Sequence, residues 1–210
     1  MNQPHPPPGG VILVRHGQTE WSHLGRHTSR TDLPLDPEGR RQAGLVREAL
    51  TGRAFELVLT SPMRRARETC EISGITGLNG SVEVSNDLTE WAYGDYEGLT
   101  TAQIQDLKPG WNLWRDGCPG GETAPEVGER CDRIIARLRA LGGQSAVFAH
   151  GHLLRVLAVR WVGLEAQGGG MFGLDTATLS RLRLDGERGV IQSWNCDPIR
   201  SNGLAPYDQA

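Results

Sequence analysis

Short, unbroken apolar runs separated by helical patterns are the feature that most constrains this chain. The runs are VILV at 11–14, FELVLT at 55–60 and SAVFA at 145–149. Continuous apolar runs of this length are typical of strands in a parallel sheet, because helices cover both faces of such a sheet. Strands that alternate with helices indicate an α/β fold. We therefore expect a single-domain three-layer sandwich with a mostly parallel central sheet flanked by helices.

Helix-start signals lie between those runs. Asp36-Pro37 places an N-cap aspartate before a proline at the first helical position, and Ser61-Pro62 repeats the arrangement. Thr123 and Glu126 form a capping-box pattern ahead of an apolar stripe of helical spacing. We expect helices to begin at these three places. Two late β-prone segments, 176–184 and 189–194, are expected to be strands.

Composition excludes several classes of protein. The net charge is -3, so nothing global indicates binding to nucleic acid or to a membrane surface, and no apolar stretch is long enough to span a bilayer. The four cysteines contain no CxxC pair, which argues against a zinc finger or a thioredoxin-like site and favours reduced thiols in a cytoplasm. We expect a flexible tail at 1–10, one domain at 11–197 and a loose tail at 198–210.

Groups able to do chemistry follow three of the predicted strands. Arg15-His16-Gly17 follows the first, Ser61 with nearby arginines the second, and His150-Gly151-His152 the last. Ligands bind at the carboxyl ends of strands in open α/β sheets, so these groups are expected to converge. A neutral imidazole can attack phosphorus, and arginines would stabilise the charge of a transferring phosphoryl group. We therefore expect His16 to be a nucleophile, with Arg15 and His150 supplying positive charge.

Two choices stay open at this point. Arg64 and Arg65 both begin a predicted helix but point about 100° apart, so at most one can be central to a site. Phosphate-ester cleavage needs a carboxyl group that protonates the leaving oxygen. The segment DLTEWAYGDYEG at 87–98 offers four, and their spacing does not choose among them: Asp87, Glu90, Asp95 and Glu97.

A family resemblance bears on these choices. RHGQTEW at 15–21, TSPMRRARET at 60–69, LTEWAYGDYEG at 88–98, GCPGGET at 117–123 and FAHGHLLR at 148–155 occur in this order. Together they resemble the histidine phosphatase superfamily, also called phosphoglycerate mutase-like, over about residues 11–161. The resemblance implies the phosphoglycerate mutase-like fold and an enzyme without metal or cofactor. A zinc site at His16, His150 and Glu90 is the alternative use of the same groups.

The resemblance also implies roles for individual residues. His16 would be the phosphorylated nucleophile, and Glu90 would be the proton donor. The rest of the phosphate pocket would be formed by Arg15, Arg65 and His150.

Within the superfamily, the blocks look most like sedoheptulose bisphosphatases and short bacterial acid phosphatases. That comparison makes Arg155 a contact to a second phosphate, and it makes Thr28, Ser61 and Tyr93 substrate contacts. The chain lacks the long late insertion of the sedoheptulose enzymes. We expect a metal-independent phosphomonoesterase that acts on small phosphorylated metabolites, such as sugar phosphates or bisphosphates.

Two alternatives remain. Phosphoglycerate mutases usually carry asparagine where this chain has Ser22, glycine where it has Ser29, and a longer insert where only 99–120 separate Gly98 from Gly121. The insert shields the phosphoenzyme from water, so its absence favours hydrolysis over a cofactor-dependent mutase. The other alternative is a non-catalytic member that binds a phosphorylated ligand. The pattern leaves a homo-oligomer open.

Several aromatic residues have no assigned chemistry. His152 is expected to pack or to orient its loop, while His23 and His27 are candidates for the entrance of the site. Trp91, Trp111 and Trp114 are expected either to wall the pocket or to join the core.

Overall fold

A computed structural model of the chain describes residues 10–199. The predicted tails, 1–10 and 198–210, therefore lie almost wholly outside the described residues. Within the described part, one sheet has the strand order β3-β2-β4-β1-β5-β6. The strands are β1 Val11–Arg15, β2 Leu57–Thr60, β3 Glu83–Val84, β4 Ser145–Ala149, β5 Leu179–Asp185 and β6 Arg188–Cys196.

The sheet is mixed, with its parallel part at the centre. β4 pairs in parallel with β1 and β2, and β2 pairs in parallel with β3. β5 pairs antiparallel with β1 and with β6, to which it is joined by a tight connection. The prediction of a mostly parallel sheet in an α/β fold is confirmed, and the two late strands form the antiparallel edge.

Helices cover both faces of the sheet. They are α1 Glu20–His23, α2 Pro37–Leu50, α3 Arg64–Ser73, α4 Thr101–Leu107, α5 Leu113–Asp116, α6 Ala124–Arg139 and α7 Gly151–Trp161. Alternate residues of β1 show the three layers. Val11 and Leu13 pack with residues of α6 and α7, whereas Ile12 and Val14 pack with residues of α2 and α3.

Two of the three helix-start predictions are correct in position. The Asp36 carboxylate accepts the Gly39 N–H at 2.7 Å and caps α2. Thr123 precedes α6 and donates its N–H to Glu126 at 2.7 Å. The Ser61-Pro62 signal is wrong by two residues, because α3 begins at Arg64 with Met63 as its N-cap. The Ser61 side chain is fully buried and hydrogen-bonded to a histidine, so it does not cap the helix.

The segment between β3 and α6 contains only short helical pieces, as expected. These are α4, α5 and two 3-10 turns at Asn86–Leu88 and Gly94–Tyr96. A later 3-10 turn, Ala166–Met171, packs against α7. None of the helices formed by residues 10–199 is long and apolar enough to cross a membrane.

Candidate active site

The carboxyl ends of β1 and β4 open on one cavity of about 240 Å³, and Ser61, which follows β2, is buried against His150. The parallel register sets Arg15 beside Ala149, so the residues that follow each strand, His16 and His150, approach to 5.2 Å between ring centroids. Six of the nine predicted site residues line this cavity: Arg15, His16, Thr28, Glu90, Tyr93 and Arg155. The other three, Ser61, Arg65 and His150, are buried directly behind them.

His16 is oriented as a neutral nucleophile. Its Nδ1 lies 2.7 Å from the carbonyl oxygen of Gly17, which can only accept, so Nδ1 carries the proton and Nε2 keeps its lone pair. Burial, together with the charges of Arg65 and Arg15, holds the pKa of His16 well below its usual value. The imidazole is therefore uncharged at neutral pH and can attack an electrophile through Nε2.

The loop that carries His16 is held by close packing. A Cβ at Gly17 would lie 2.4 Å from the carbonyl oxygen of Gly39 at the start of α2, so only glycine fits there. The Gly17 N–H donates to the Thr69 hydroxyl at 3.0 Å. Ala177 donates its N–H to the carbonyl oxygen of His16 at 3.1 Å from a left-handed conformation with φ of 56°. Thr69 lies in the block TSPMRRARET at 60–69, but the sequence did not indicate it as a site residue. No sequence pattern indicates Ala177.

Arg15 has a donor ready for an anion. One of its terminal nitrogens, Nη1, donates to the carbonyl oxygen of Leu174. Its Nε is buried and has no hydrogen-bond partner among the described residues. A buried donor without a partner is costly, and a bound phosphate oxygen would satisfy it.

Arg65, rather than Arg64, is buried against His150. Arg65 is 1% exposed, and its guanidinium donates to His150 Nδ1 at 3.2 Å. Its remaining hydrogen bonds go to the carbonyl oxygens of Thr28, Ser29 and Thr31, each at 3.1 Å. It therefore ties the loop after α1 to β4. Arg64 forms an exposed ion pair with Glu68 instead.

His150 does not supply positive charge in this arrangement, contrary to our expectation. Its Nδ1 accepts from Arg65, so Nε2 carries the proton and donates to the Ser61 hydroxyl at 2.7 Å. Burial and the nearby Arg65, His16 and Arg15 hold the pKa of His150 well below its usual value. The fixed positive charge of the site comes from the two arginines, and His150 is a neutral hydrogen-bonding group.

Of the four candidate carboxylates, only Glu90 lines the cavity. Asp87 pairs with Arg133 near the surface, and Asp95 is exposed. Glu97 accepts backbone N–H groups of the loop after α1 and does not line the cavity. Of the four, Glu90 is therefore the carboxylate that a ligand in this cavity can reach.

The Glu90 carboxylate rests on the amino end of α7. Its Oε1 accepts the N–H groups of Trp91 at 2.9 Å and Leu153 at 2.8 Å, and its Oε2 accepts the His152 N–H at 3.0 Å. Oε2 takes only one of these hydrogen bonds, so it retains a lone pair that can carry a proton. The carboxylate is thus fixed in position while one oxygen stays available to a ligand.

An ion pair between Arg130 and Glu122 holds the segment that carries Glu90 in place. Arg130 of α6 donates to both carboxylate oxygens of Glu122, at 2.7 and 2.9 Å. The same guanidinium donates to the carbonyl oxygens of Asp87 at 2.8 Å and Thr89 at 2.9 Å. Sequence reasoning missed this pair, because residues eight positions apart in two different elements have no motif that joins them.

The outer wall of the cavity is aromatic and polar. The Tyr93 hydroxyl lies 2.6 Å from Nδ1 of His152, and the His27 ring packs 4.7 Å from the Tyr93 ring. Arg155 stacks over Trp114 at 4.6 Å and donates to the carbonyl oxygen of Gly169 at 2.9 Å.

The other aromatic residues lie in different places: one lines the cavity, and the others are exposed or lie in or against the core. His27 lines the cavity, whereas His23 is exposed and does not. Trp91 and Trp111 belong to the core, and Trp114 packs against it.

The zinc alternative receives no support from the geometry. Among residues 10–199, no group of three or more histidine, cysteine, aspartate and glutamate side chains is arranged to hold a metal ion. The amino end of a helix, a buried arginine donor and a neutral imidazole are instead the groups that bind and attack a phosphate.

Comparison with known proteins identifies the family. Residues 11–197 match the family described as "Histidine phosphatase superfamily (branch 1)". The chain belongs to this superfamily. The match extends beyond the sequence blocks to the antiparallel edge of the sheet, which the blocks do not cover.

Relatives of this histidine phosphatase include two of the kinds that the sequence resembled. It is 40% identical to an acid phosphatase of Mycobacterium tuberculosis over 80% of this chain and 83% of the relative. It is also 40% identical to the sedoheptulose 1,7-bisphosphatase of Saccharomyces cerevisiae over 74% of this chain and 68% of the relative. The predicted branch is confirmed, and the protein is a hydrolase of the phosphatase type.

Solved structures of superfamily members share the fold. The structure of a Mycobacterium tuberculosis open reading frame product superposes with a TM-score of 0.84 at 34% identity, covering 90% of this chain and 98% of that one. A mycobacterial glucosyl-3-phosphoglycerate phosphatase in complex with VO3 superposes with a TM-score of 0.80 at 31% identity, covering 90% and 99%.

Proposed function

We propose that this histidine phosphatase hydrolyses phosphate monoesters of small sugar-like metabolites through a phosphohistidine at His16. The observation that carries the proposal is that a neutral His16, whose Nε2 keeps its lone pair, lines the same cavity as the guanidinium of Arg15, whose buried Nε has no hydrogen-bond partner among the described residues. A nucleophile and an anion-binding donor at one cavity are what phosphoryl transfer requires.

In the first step, Nε2 of His16 attacks the phosphorus atom. The N–P bond forms as the ester P–O bond breaks, and the leaving oxygen takes a proton from Glu90. In the second step, the Glu90 carboxylate accepts a proton from water, whose oxygen attacks phosphorus. The N–P bond then breaks, inorganic phosphate leaves, and His16 and Glu90 return to their starting protonation states.

The charge of the transferring group would be stabilised by fixed donors. Arg15 and Arg65 remain protonated under all ordinary conditions, although burial lowers the pKa of both guanidinium groups. The buried Ser61 hydroxyl accepts the Nε2–H of His150 and the N–H of Met63, which fixes His150 beside these arginines. No step requires a metal ion or a cofactor, because these groups supply the charge.

The substrate class is a proposal supported by the outer part of the cavity. Thr28, Tyr93 and Arg155 lie where the organic part of a substrate would extend, and Arg155 would contact a second anionic group. The relatives named sedoheptulose 1,7-bisphosphatase and glucosyl-3-phosphoglycerate phosphatase carry sugar phosphates in their names. We propose a sugar phosphate or bisphosphate. The four free cysteines support a reducing cytoplasm as the compartment.

The test is to trap the phosphoenzyme. Wild-type protein mixed with radiolabelled p-nitrophenyl phosphate and quenched rapidly should carry an acid-labile, alkali-stable label, and His16→Ala should carry none and turn over no substrate. His23→Ala is the matched control, since His23 lies nearby in sequence, at the end of α1, but is exposed and outside the cavity. Turnover by His16→Ala near the wild-type rate would show that another group is the nucleophile.

A further inference from the structure

His152 has no role in the proposed reaction, although it stands next to the group that would protonate the leaving oxygen. Its side chain lines the cavity and is 23% exposed, and its Nδ1 lies 4.0 Å from Oε2 of Glu90. A substrate whose ester oxygen reaches Glu90 would therefore bind beside this side chain.

Hydrogen bonding decides which nitrogen of His152 carries the proton. The Tyr93 hydroxyl is buried, and burial and the charge of Glu90 raise the pKa of Tyr93 well above its usual value, so the phenol keeps its proton. Among the described residues, Nδ1 of His152 at 2.6 Å is its acceptor. A buried hydroxyl donates where an acceptor is in reach, so Nδ1 accepts and Nε2 carries the proton.

The imidazole is held rigidly and without charge. Burial, together with Arg155 and His27, holds the pKa of His152 well below its usual value, and burial lowers the pKa of His27 to about 4. The Trp114 ring packs against His152 at 5.4 Å between centroids, and the Trp91 ring at 6.4 Å. Within the described part of the chain, no hydrogen bond involves Nε2 of His152.

We propose that His152 is a specificity-determining residue, whose Nε2–H donates a hydrogen bond to a hydroxyl oxygen on the carbon next to the scissile ester. The inference rests on the proposed function and adds a subsite to it. A neutral, pre-oriented donor beside aromatic rings suits the uncharged oxygen of a polyol, whereas the arginines of the site suit phosphate groups. Tyr93 is then a positioning residue, because its hydroxyl fixes the tautomer of His152.

The experiment compares two substrates that differ only in hydroxyl groups, glycerol 1-phosphate and n-propyl phosphate. The measured quantity is the ratio of kcat/KM between them. Wild-type enzyme should favour glycerol 1-phosphate, and the ratio should fall roughly 3- to 10-fold in His152→Asn, as expected for the loss of one neutral hydrogen bond. Asparagine retains a group near the Nδ1 position but does not reach the Nε2 position.

His152→Gln is the matched variant, because its amide N–H reaches the position of Nε2 and should preserve most of the preference. Tyr93→Phe, which removes only the hydroxyl that holds the tautomer, should lower the ratio by a smaller factor. It also tests the proposal if a His152 variant fails to fold, as judged by thermal melting. Equal loss of the ratio in the Gln and Asn variants would assign His152 to packing and overturn the proposal.

The outcome separates this inference from the proposed function. If wild-type protein releases phosphate from p-nitrophenyl phosphate and labels His16 but shows no preference for glycerol 1-phosphate, the His152 proposal is wrong and the phosphatase proposal stands. If no phosphohistidine forms at all, the proposed function itself fails, and the subsite that depends on it fails too.

Discussion

Replacing Glu90 by glutamine should lower both the catalytic rate and the stability of the fold, for separate reasons. In the structure, Oε1 accepts two backbone N–H groups, from Trp91 and Leu153, and Oε2 accepts one from His152. A glutamine amide keeps one oxygen acceptor, which can retain the first two hydrogen bonds. Its NH2 group then faces the His152 N–H, so two donors oppose each other.

The stability cost follows from that geometry. Loss of one charge-assisted hydrogen bond at a buried position, where Glu90 is 6% exposed, costs about 2 kcal/mol. For a chain of this size, that loss lowers Tm by about 4–8 °C. The rate cost is separate, because a general acid contributes roughly 10²–10⁴-fold to the rate when the leaving oxygen is a poor leaving group.

Two substrates with different leaving groups separate the cost in catalytic rate from the cost in stability. Glu90→Gln should hydrolyse a sugar phosphate at least 10²-fold more slowly than wild type, since an alkoxide needs protonation to leave. The burst of p-nitrophenolate from p-nitrophenyl phosphate should be spared, because that group leaves without much protonation. Steady-state turnover of p-nitrophenyl phosphate should still fall, since the same carboxylate would activate water in the second step.

Glu97→Gln is the matched control from the same sequence block. The Glu97 Oε1 accepts the Ser29 and Thr31 N–H groups at 2.8 and 3.0 Å, and its Oε2 shares the Ser29 N–H at 3.0 Å. A glutamine oxygen can keep the first two hydrogen bonds while its NH2 group opposes the Ser29 N–H, so we expect a stability loss of about 1–2 kcal/mol with no dependence of the rate on the leaving group. A Glu90→Gln variant whose burst is equally impaired for both kinds of leaving group would refute the acid role. An unchanged Tm would refute the opposed-donor geometry.

Three further predictions follow from the structure. EDTA should leave the phosphatase rate unchanged, and a loss restored by zinc or magnesium would indicate metal-assisted hydrolysis. Because burial lowers the pKa of His27 to about 4, the unfolded chain binds a proton more readily, so stability should fall by about 3 kcal/mol from this group as pH drops from 6.5 towards 4. Urea unfolding at pH 7 and pH 4.5 should show a smaller decrease in His27→Gln, and an equal decrease would contradict the assignment. Arg130→Met leaves the Glu122 carboxylate with the Ala92 N–H but without its charged partner, and it should cost about 2 kcal/mol and slow sugar-phosphate hydrolysis more than the p-nitrophenolate burst. Its control is Arg133→Met on the same helix, whose exposed pair with Asp87 is screened by solvent, so this variant should lose less stability than Arg130→Met. Equal losses in the two variants would show that Arg130 does not hold the segment that carries Glu90.

Local sequence determined the elements and the identity of the main chemical groups. Apolar runs predicted β1, β2 and β4, because a strand buried on both faces needs no alternation. The groups that follow those strands were expected to meet, since parallel strands end at the same edge of a sheet. His16, Arg15 and His150 are placed there by that rule, whereas the choice of Arg65 and Glu90 depended on the family resemblance.

Only the tertiary structure decided which hydrogen bonds those groups form and which charge states they adopt. The tautomers of His16 and His150, the unpaired Nε of Arg15 and the neutral state of His150 depend on atoms brought together from distant segments. Ser61 shows the limit of a local rule, because α3 begins two residues after the position that its cap-and-proline signal predicted, and its hydroxyl accepts from His150 and from the Met63 N–H. A local sequence pattern does not predict hydrogen bonds between distant segments, because it contains only the residue types that are near in sequence. Burial and hydrogen bonding depend on which residues are near in space.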